Sequence, residues 1–203
     1  MREECAWTVL LLGGASGVGK TSISYRLAQH YGVALTEVDD FQVVLEGMTT
    51  PEQYPVLHYW RTHFDEARAM DDDAQLDFFI RYAEVMSRAL TLVIGNHIET
   101  HTPIILEGDF ILPSLATQPE YAGFAAGGQV RAVFLHEEKP QIRRNFLLRD
   151  GIDQPERAHI SYLLSRWLGD RARELGLPVV PARPWETVLQ RVIATVDGTI
   201  IRR

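Results

Sequence analysis

Eight consecutive residues carry the clearest chemical signal in this chain: Gly14, Ala15, Ser16, Gly17, Val18, Gly19, Lys20 and Thr21. They satisfy the pattern G-x-x-x-x-G-K-[ST] in full, and an apolar run precedes them while a helical pattern follows. Glycines permit positive φ angles and close backbone approach, so that successive N–H groups can wrap a phosphate. The helix N-terminus behind the loop adds partial positive charge aimed at the anion. Lys20 is placed to reach the β- and γ-phosphates, and the Thr21 hydroxyl to ligate Mg²⁺. Ser22 belongs to the same nucleotide-contacting set. The chemistry expected of this stretch is binding of a nucleoside triphosphate, ATP with Mg²⁺.

Other reactive side chains fall just after apolar runs. Asp39 and Asp40 follow "VALTEV". A carboxylate there can accept the proton of an acceptor hydroxyl, whereas capping of the next helix is the plainer role, and it suits Asp40 better. Glu107 and Asp109 follow "IIL". Of the two, Glu107 directly ends the apolar run and is the preferred metal-associated acid, with Asp109 beside the acceptor. Gly108 between them is expected to leave room for a ligand near the backbone. Arg143, Arg144 and Arg149 cluster further on, where a guanidinium from a closing segment could stabilise charge on a transferring phosphoryl group. Arg143 and Arg183 are further nucleotide contacts, the latter in "VVPARPW", a loop stiffened by Pro181 and Pro184. His97 and His101 have no third ligand and read as helix-end residues rather than a metal pair.

These positions need a sheet to hold them. "TVLLLG" reads as a strand buried on both faces, a helix runs from about Lys20 to Tyr31, and "VALTEVDD" is a second strand running into the aspartates. Together they make one right-handed βαβ unit. Residues 41–101 read as helical throughout, with Asp71, Asp72 and Asp73 opening the longest helix. "PIILEGD" is a third strand, residues 113–128 a loop with at most a short helix, and "QVRAVFLH" a fourth strand. A helix ending at Gly151, another over 157–175, the strand "LPVVPA" and a last helix from about Trp185 complete the chain. In an open parallel sheet, ligands bind beyond the carboxyl ends of the strands, where all the acids above are placed.

Composition bounds the setting. The chain has 203 residues, 46% hydrophobic and 23% charged, as in ordinary globular proteins. No apolar run approaches the ~20 residues of a membrane span, and no signal-peptide pattern follows Met1. The single cysteine, Cys5, excludes an internal disulfide and suits a reducing cytoplasm. A net charge of −7 argues against a nucleic-acid surface.

"GGASGVGKTS", the aspartate pair, "LEGDFILP" and "PVVPARPWETVLQRV" together resemble the small P-loop kinases related to 2-phosphoglycerate kinase. The resemblance implies an α/β, three-layer P-loop NTPase fold of the nucleoside-monophosphate-kinase-like kind: a five-stranded parallel sheet flanked by helices. It implies one kinase domain over residues 1–203, with a helical acceptor-binding insertion at about 41–101 and an arginine-bearing lid at about 138–157. The implied activity is transfer of the γ-phosphate of Mg·ATP to a small hydroxylated acceptor. In that scheme the loop from Gly14 to Thr21 binds the nucleotide and Asp39 faces the acceptor. Residues 41–100 carry four arginines, no lysine and ten acids, a net charge of −6. Arg61 and Arg68 could meet an anionic group, but the balance of the segment favours a neutral or cationic acceptor. A nucleotide-dependent switch without such an acceptor is the alternative reading.

Overall fold

The computed structural model describes residues 6–198, and Cys5 lies outside them. Strands β1 (Val9–Gly13), β2 (Ala34–Glu37) and β3 (Ile104–Gly108) come first. A small antiparallel hairpin of β4 (Glu120–Tyr121) and β5 (Phe124–Ala125) follows, then β6 (Val130–His136) and β7 (Val179–Pro181). The five longer-range strands form one parallel sheet in the order β2-β3-β1-β6-β7. β1 and β3 are buried along their whole length, which is why both read as unbroken apolar runs rather than alternating ones.

The order contains a reversal. From β1 the chain moves two places to β2, returns to β3, then crosses to β6 on the other side of β1. The crevice at such a reversal opens at the carboxyl ends of β1 and β3. Register aligns Leu12 of β1 and Glu37 of β2 with Glu107 of β3, so two carboxylates leave neighbouring strands at one level.

Helix α1 (Lys20–Tyr31) links β1 to β2. Between β2 and β3 lie α2 (Val38–Met48), α3 (Pro55–Thr62), α4 (Phe64–Arg68) and α5 (Asp72–Thr100). The continuous helical stretch expected from residue 41 is thus four helices, and the first begins at Val38. Asp39 and Asp40 occupy its first turn, where carboxylates suit the helix dipole, while Glu37 takes the N-cap position. Asp71 caps α5 by accepting from the Ala74 N–H at 2.9 Å. Phe78, Tyr82, Met86, Leu90, Ile94 and Ile98 recur every fourth residue and form its buried stripe. Each such side chain contributes about 1.5–3 kcal/mol by leaving water, so a charge at Leu90, in the middle of the stripe, would break the contact.

Residues 113–128 hold more than a loop. A 3₁₀ turn (Pro113–Thr117) leads to the hairpin, whose fully buried Tyr121 donates its hydroxyl to Leu115 O at 2.6 Å. After β6 come α6 (Lys139–Asp150) and α7 (Pro155–Glu174), and α8 (Trp185–Val196) follows β7. Among the described residues no helix is long and apolar enough to cross a membrane.

Candidate active site

The loop from Gly14 to Gly19 joins the end of β1 to α1, with Ala15 and Val18 fully buried beneath it. Two of its glycines are required twice over. Gly17 (φ 78°) and Gly19 (φ 99°) lie in the left-handed region that L side chains resist. A Cβ on Gly17 would stand 2.9 Å from the Phe146 ring of α6, and one on Gly19 2.6 Å from the Trp185 ring of α8. The loop is therefore gripped by α6 and α8, whose Phe146 and Trp185 rings also line the cleft that its backbone faces.

In front of it opens a cleft of about 520 Å³, into which Ser16, Gly17, Gly19, Lys20, Thr21 and Ser22 all face. Asp39, Glu107, Asp109, Arg149 and Arg183 line the same cleft. Lys20 is buried, and its ammonium donates to Ala15 O at 3.1 Å and to Asp109 Oδ1 at 2.5 Å, with Glu107 Oε1 at 3.7 Å. Burial works against the charged lysine, but Asp109 and Glu107 outweigh it and raise its pKa above the ordinary 10.5.

Glu107 is buried, and its Oε2 has no hydrogen-bond partner. Loss of hydration pushes its carboxyl above the usual range, against the pull of Lys20 and the Thr21 hydroxyl. A carboxylate oxygen left bare beside a hydroxyl, at the mouth of an anion cradle, fits Mg²⁺, so Thr21 and Glu107 are the residues that would hold it. Among the described residues no cluster of three His, Cys, Asp or Glu side chains could hold a metal unaided. Asp39 is also raised, first by loss of hydration in the cleft and next by the charge of Asp109.

The arginines separate. Arg149 lines the cleft, paired with Asp150 at 2.7 Å and lying over the Phe146 ring. Arg183 is anchored by the buried Glu137, its Nε 3.0 Å from Oε2, and lies over the Trp185 ring. Arg143 pairs instead with Asp153, and Arg144 is exposed; neither lines the cleft. The helical phase of α6 sets this division: Ile142, Phe146 and Arg149 share the face toward the loop, while 143 and 144 point off it. Arg61 pairs with Glu46 at 2.9 Å and is also absent from the lining. Gly108 leaves no room for a ligand, because a Cβ there would stand 2.6 Å from Val38 Cβ.

A second cavity, of about 530 Å³, adjoins the first and shares Ser16 and Asp109 with it. Its walls come from α3–α5 on one side and α7 on the other, with Trp60 and Phe79 as aromatic surface and Arg68 and Arg157 as cations. Of the ten acids in residues 41–100, Asp72 alone lines it, and His159 already holds Asp72 at 2.6 Å. Most of that segment's negative charge therefore lies outside the cavity, whose lining also takes Asp109 and Glu156 from other elements, together with Asp72 and the two arginines.

Sequence reasoning missed Asn145, Ser161, Trp185 and Arg157. Asn145, Arg157 and Trp185 stand inside stretches already singled out, but Ser161 carries no local signal and reaches the site only through the fold.

No protein-family model matches the chain. In sequence it is similar to the 2-phosphoglycerate kinase of Methanocaldococcus jannaschii, 22% identical over 182 residues that cover 85% of this chain and 57% of that protein. The enzyme of the same name from Methanothermobacter thermautotrophicus is 22% identical over 209 residues, covering 96% of this chain and 67% of that one. The chain thus spans between half and two thirds of the length of these relatives. In structure it is similar to a gluconokinase from Sinorhizobium meliloti, with TM-score 0.55, 18% identity, and 97% and 95% of the two chains covered. A shikimate kinase from Acinetobacter baumannii superposes with TM-score 0.58 at 13% identity, covering 98% and 97%. The phosphate loop, the strand order and these likenesses agree: the chain has the fold of the small P-loop kinases and is a sequence relative of the 2-phosphoglycerate kinases.

Proposed function

We propose that the chain is an ATP-dependent kinase for a small hydroxylated molecule. The observation that carries this reading is the second cavity, which meets the phosphate-loop cleft at Ser16 and Asp109. A nucleotide switch needs one ligand site, whereas a phosphotransferase needs two that share a wall. In this reading the triphosphate lies along the loop, with Lys20 at its β- and γ-oxygens. Mg²⁺ bound at Thr21 and Glu107 would neutralise charge on those oxygens. Asp39 takes the proton of the acceptor hydroxyl as the new O–P bond forms and the bond from the γ-phosphorus to its bridging oxygen breaks, releasing ADP. Arg149 stabilises the charge spread over the transferring group.

Residues 41–101 serve as the acceptor-binding insertion and 138–157 as the lid, within one catalytic unit of residues 1–203. Arg68 and Arg157 both line the acceptor cavity, one from each of these parts, beside Asp72, Asp109 and Glu156, and are the side chains there that can meet a carboxylate or phosphate on the acceptor. The likeness to 2-phosphoglycerate kinases supports a hydroxy acid as the acceptor, 2-phosphoglycerate among them. The test is ADP release from Mg·ATP over a library of sugars, alcohols and acids that includes 2-phosphoglycerate, gluconate and shikimate. Stimulation by one acid identifies the acceptor; ATP hydrolysis indifferent to every small molecule would leave the switch as the better reading.

A further inference from the structure

A loop that turns its N–H groups inward to an anion turns carbonyl groups outward, and those carbonyls need partners. In this chain, side chains of α6 and α7 supply them. Asn145 Nδ2 donates to Gly17 O at 2.7 Å, and the buried Ser161 hydroxyl donates to Ser16 O. Ile142 and Phe146 already pack α6 against Gly17, so apolar contact alone would hold the helix there. The two polar bonds do something packing cannot: they fix the direction of successive peptide planes, and with them the N–H groups on the other side of the loop.

We infer that Asn145 and Ser161 are positioning residues that hold the phosphate loop in its anion-binding shape, so that triphosphate affinity depends on α6 and α7 being docked. The inference rests on the reading of the loop as the triphosphate site. Neither residue is required to touch the reacting atoms. Ser161 lies in the wall of the second cavity and Asn145 in that of the first, so the loop is held from both sites at adjacent residues.

Calorimetric titration with Mg·ATP, which needs no knowledge of the acceptor, tests this on the full chain alongside thermal unfolding. N145D keeps the size of the side chain but sets an acceptor against the Gly17 carbonyl, and Kd is expected to rise ~10-fold or more. S161A should raise Kd ~3- to 10-fold, while S161T, which keeps the hydroxyl, should stay within about twofold of wild type. N145A serves in place of N145D if the charged variant does not fold. Folded variants with a lowered Tm but wild-type Kd would overturn the inference, since that is what a purely structural role predicts. S161T behaving like S161A would overturn it for Ser161. Wild-type protein that fails to bind Mg·ATP would instead sink the phosphate-loop reading itself, and this inference with it.

Discussion

Lys20 Nζ stands 2.5 Å from Asp109 Oδ1, a contact between the residue that opens α1 and the acid just beyond β3. Neighbouring parallel strands bring the two together across 89 positions of sequence. The pair closes the floor of the cleft, and Glu107 at 3.7 Å makes it a triad.

Removal of the lysine leaves two carboxylates facing each other, one of them buried. Lys20→Ala should therefore abolish Mg·ATP binding and also destabilise the fold, by about 3–5 kcal/mol in the manner of a broken buried pair. Glu107 has a raised carboxyl pKa, so it takes up a proton as pH falls through that value, and the gap between mutant and wild type should narrow in mild acid. In wild type the contribution of Lys20 is complete below its unfolded pKa of 10.5 and is lost as pH rises through the higher folded value. Denaturant melts at neutral, mildly acidic and alkaline pH check both signs.

Asp39→Asn retains size and removes the base. Phosphorylation of the identified acceptor should fall ~10²-fold or more while Mg·ATP still binds. Because the Asp39 carboxyl is raised above 3.8, the wild-type rate should drop as pH falls through a value higher than an ordinary aspartate would show. The acid limb of kcat should vanish in the variant. An undiminished rate would make Asp39 only a first-turn residue of α2.

The three arginines of α6 should not behave alike. Arg149→Ala is expected to lower kcat ~10³-fold, with a smaller change in ATP affinity. Arg144→Ala should leave kcat within about twofold, as for other surface substitutions. Steady-state kinetics on the pair separates a cleft arginine from a solvated one.

Gly19→Ala meets both a left-handed backbone and the Trp185 ring. The backbone conformation alone costs about 1–2 kcal/mol, and relief of the clash must move either the loop or α8. Loss of Mg·ATP binding with a red-shifted tryptophan emission would report that displacement. Unchanged binding would mean the loop tolerates a side chain there.

Arg68→Ala and Arg157→Ala address the second cavity. Each should raise the acceptor KM ~10-fold or more, as lost charge-assisted bonds do, and leave the Kd for ATP near wild type. A matching loss of ATP affinity would place both arginines in the nucleotide site instead.

Local chemistry made much of this molecule legible in the chain itself. A phosphate loop is eight consecutive residues whose backbone does the binding, and buried parallel strands are unbroken apolar runs, so both can be read in sequence. The positions of Lys20, Thr21 and Asp39 beyond strand ends, and of Glu107 near the carboxyl end of β3, follow from the same pattern. Side chains that act from a helix face were less legible. Arg143, Arg144 and Arg149 are equivalent in a sequence; the rotation of α6 against Gly17 decides that the last faces the cleft and the first two do not. The acids of residues 41–100 likewise sum to a net charge in sequence, yet only packing determines that Asp72 alone among them lines the second cavity, which Arg68 and Arg157 also line. Asn145 and Ser161 reach the loop across 128 and 145 positions, a proximity created by the crossing of β6 beside β1. Backbone-borne function is local and survives in the one-dimensional pattern, whereas side-chain direction is set by helix phase and by contacts between distant segments, which exist only after folding.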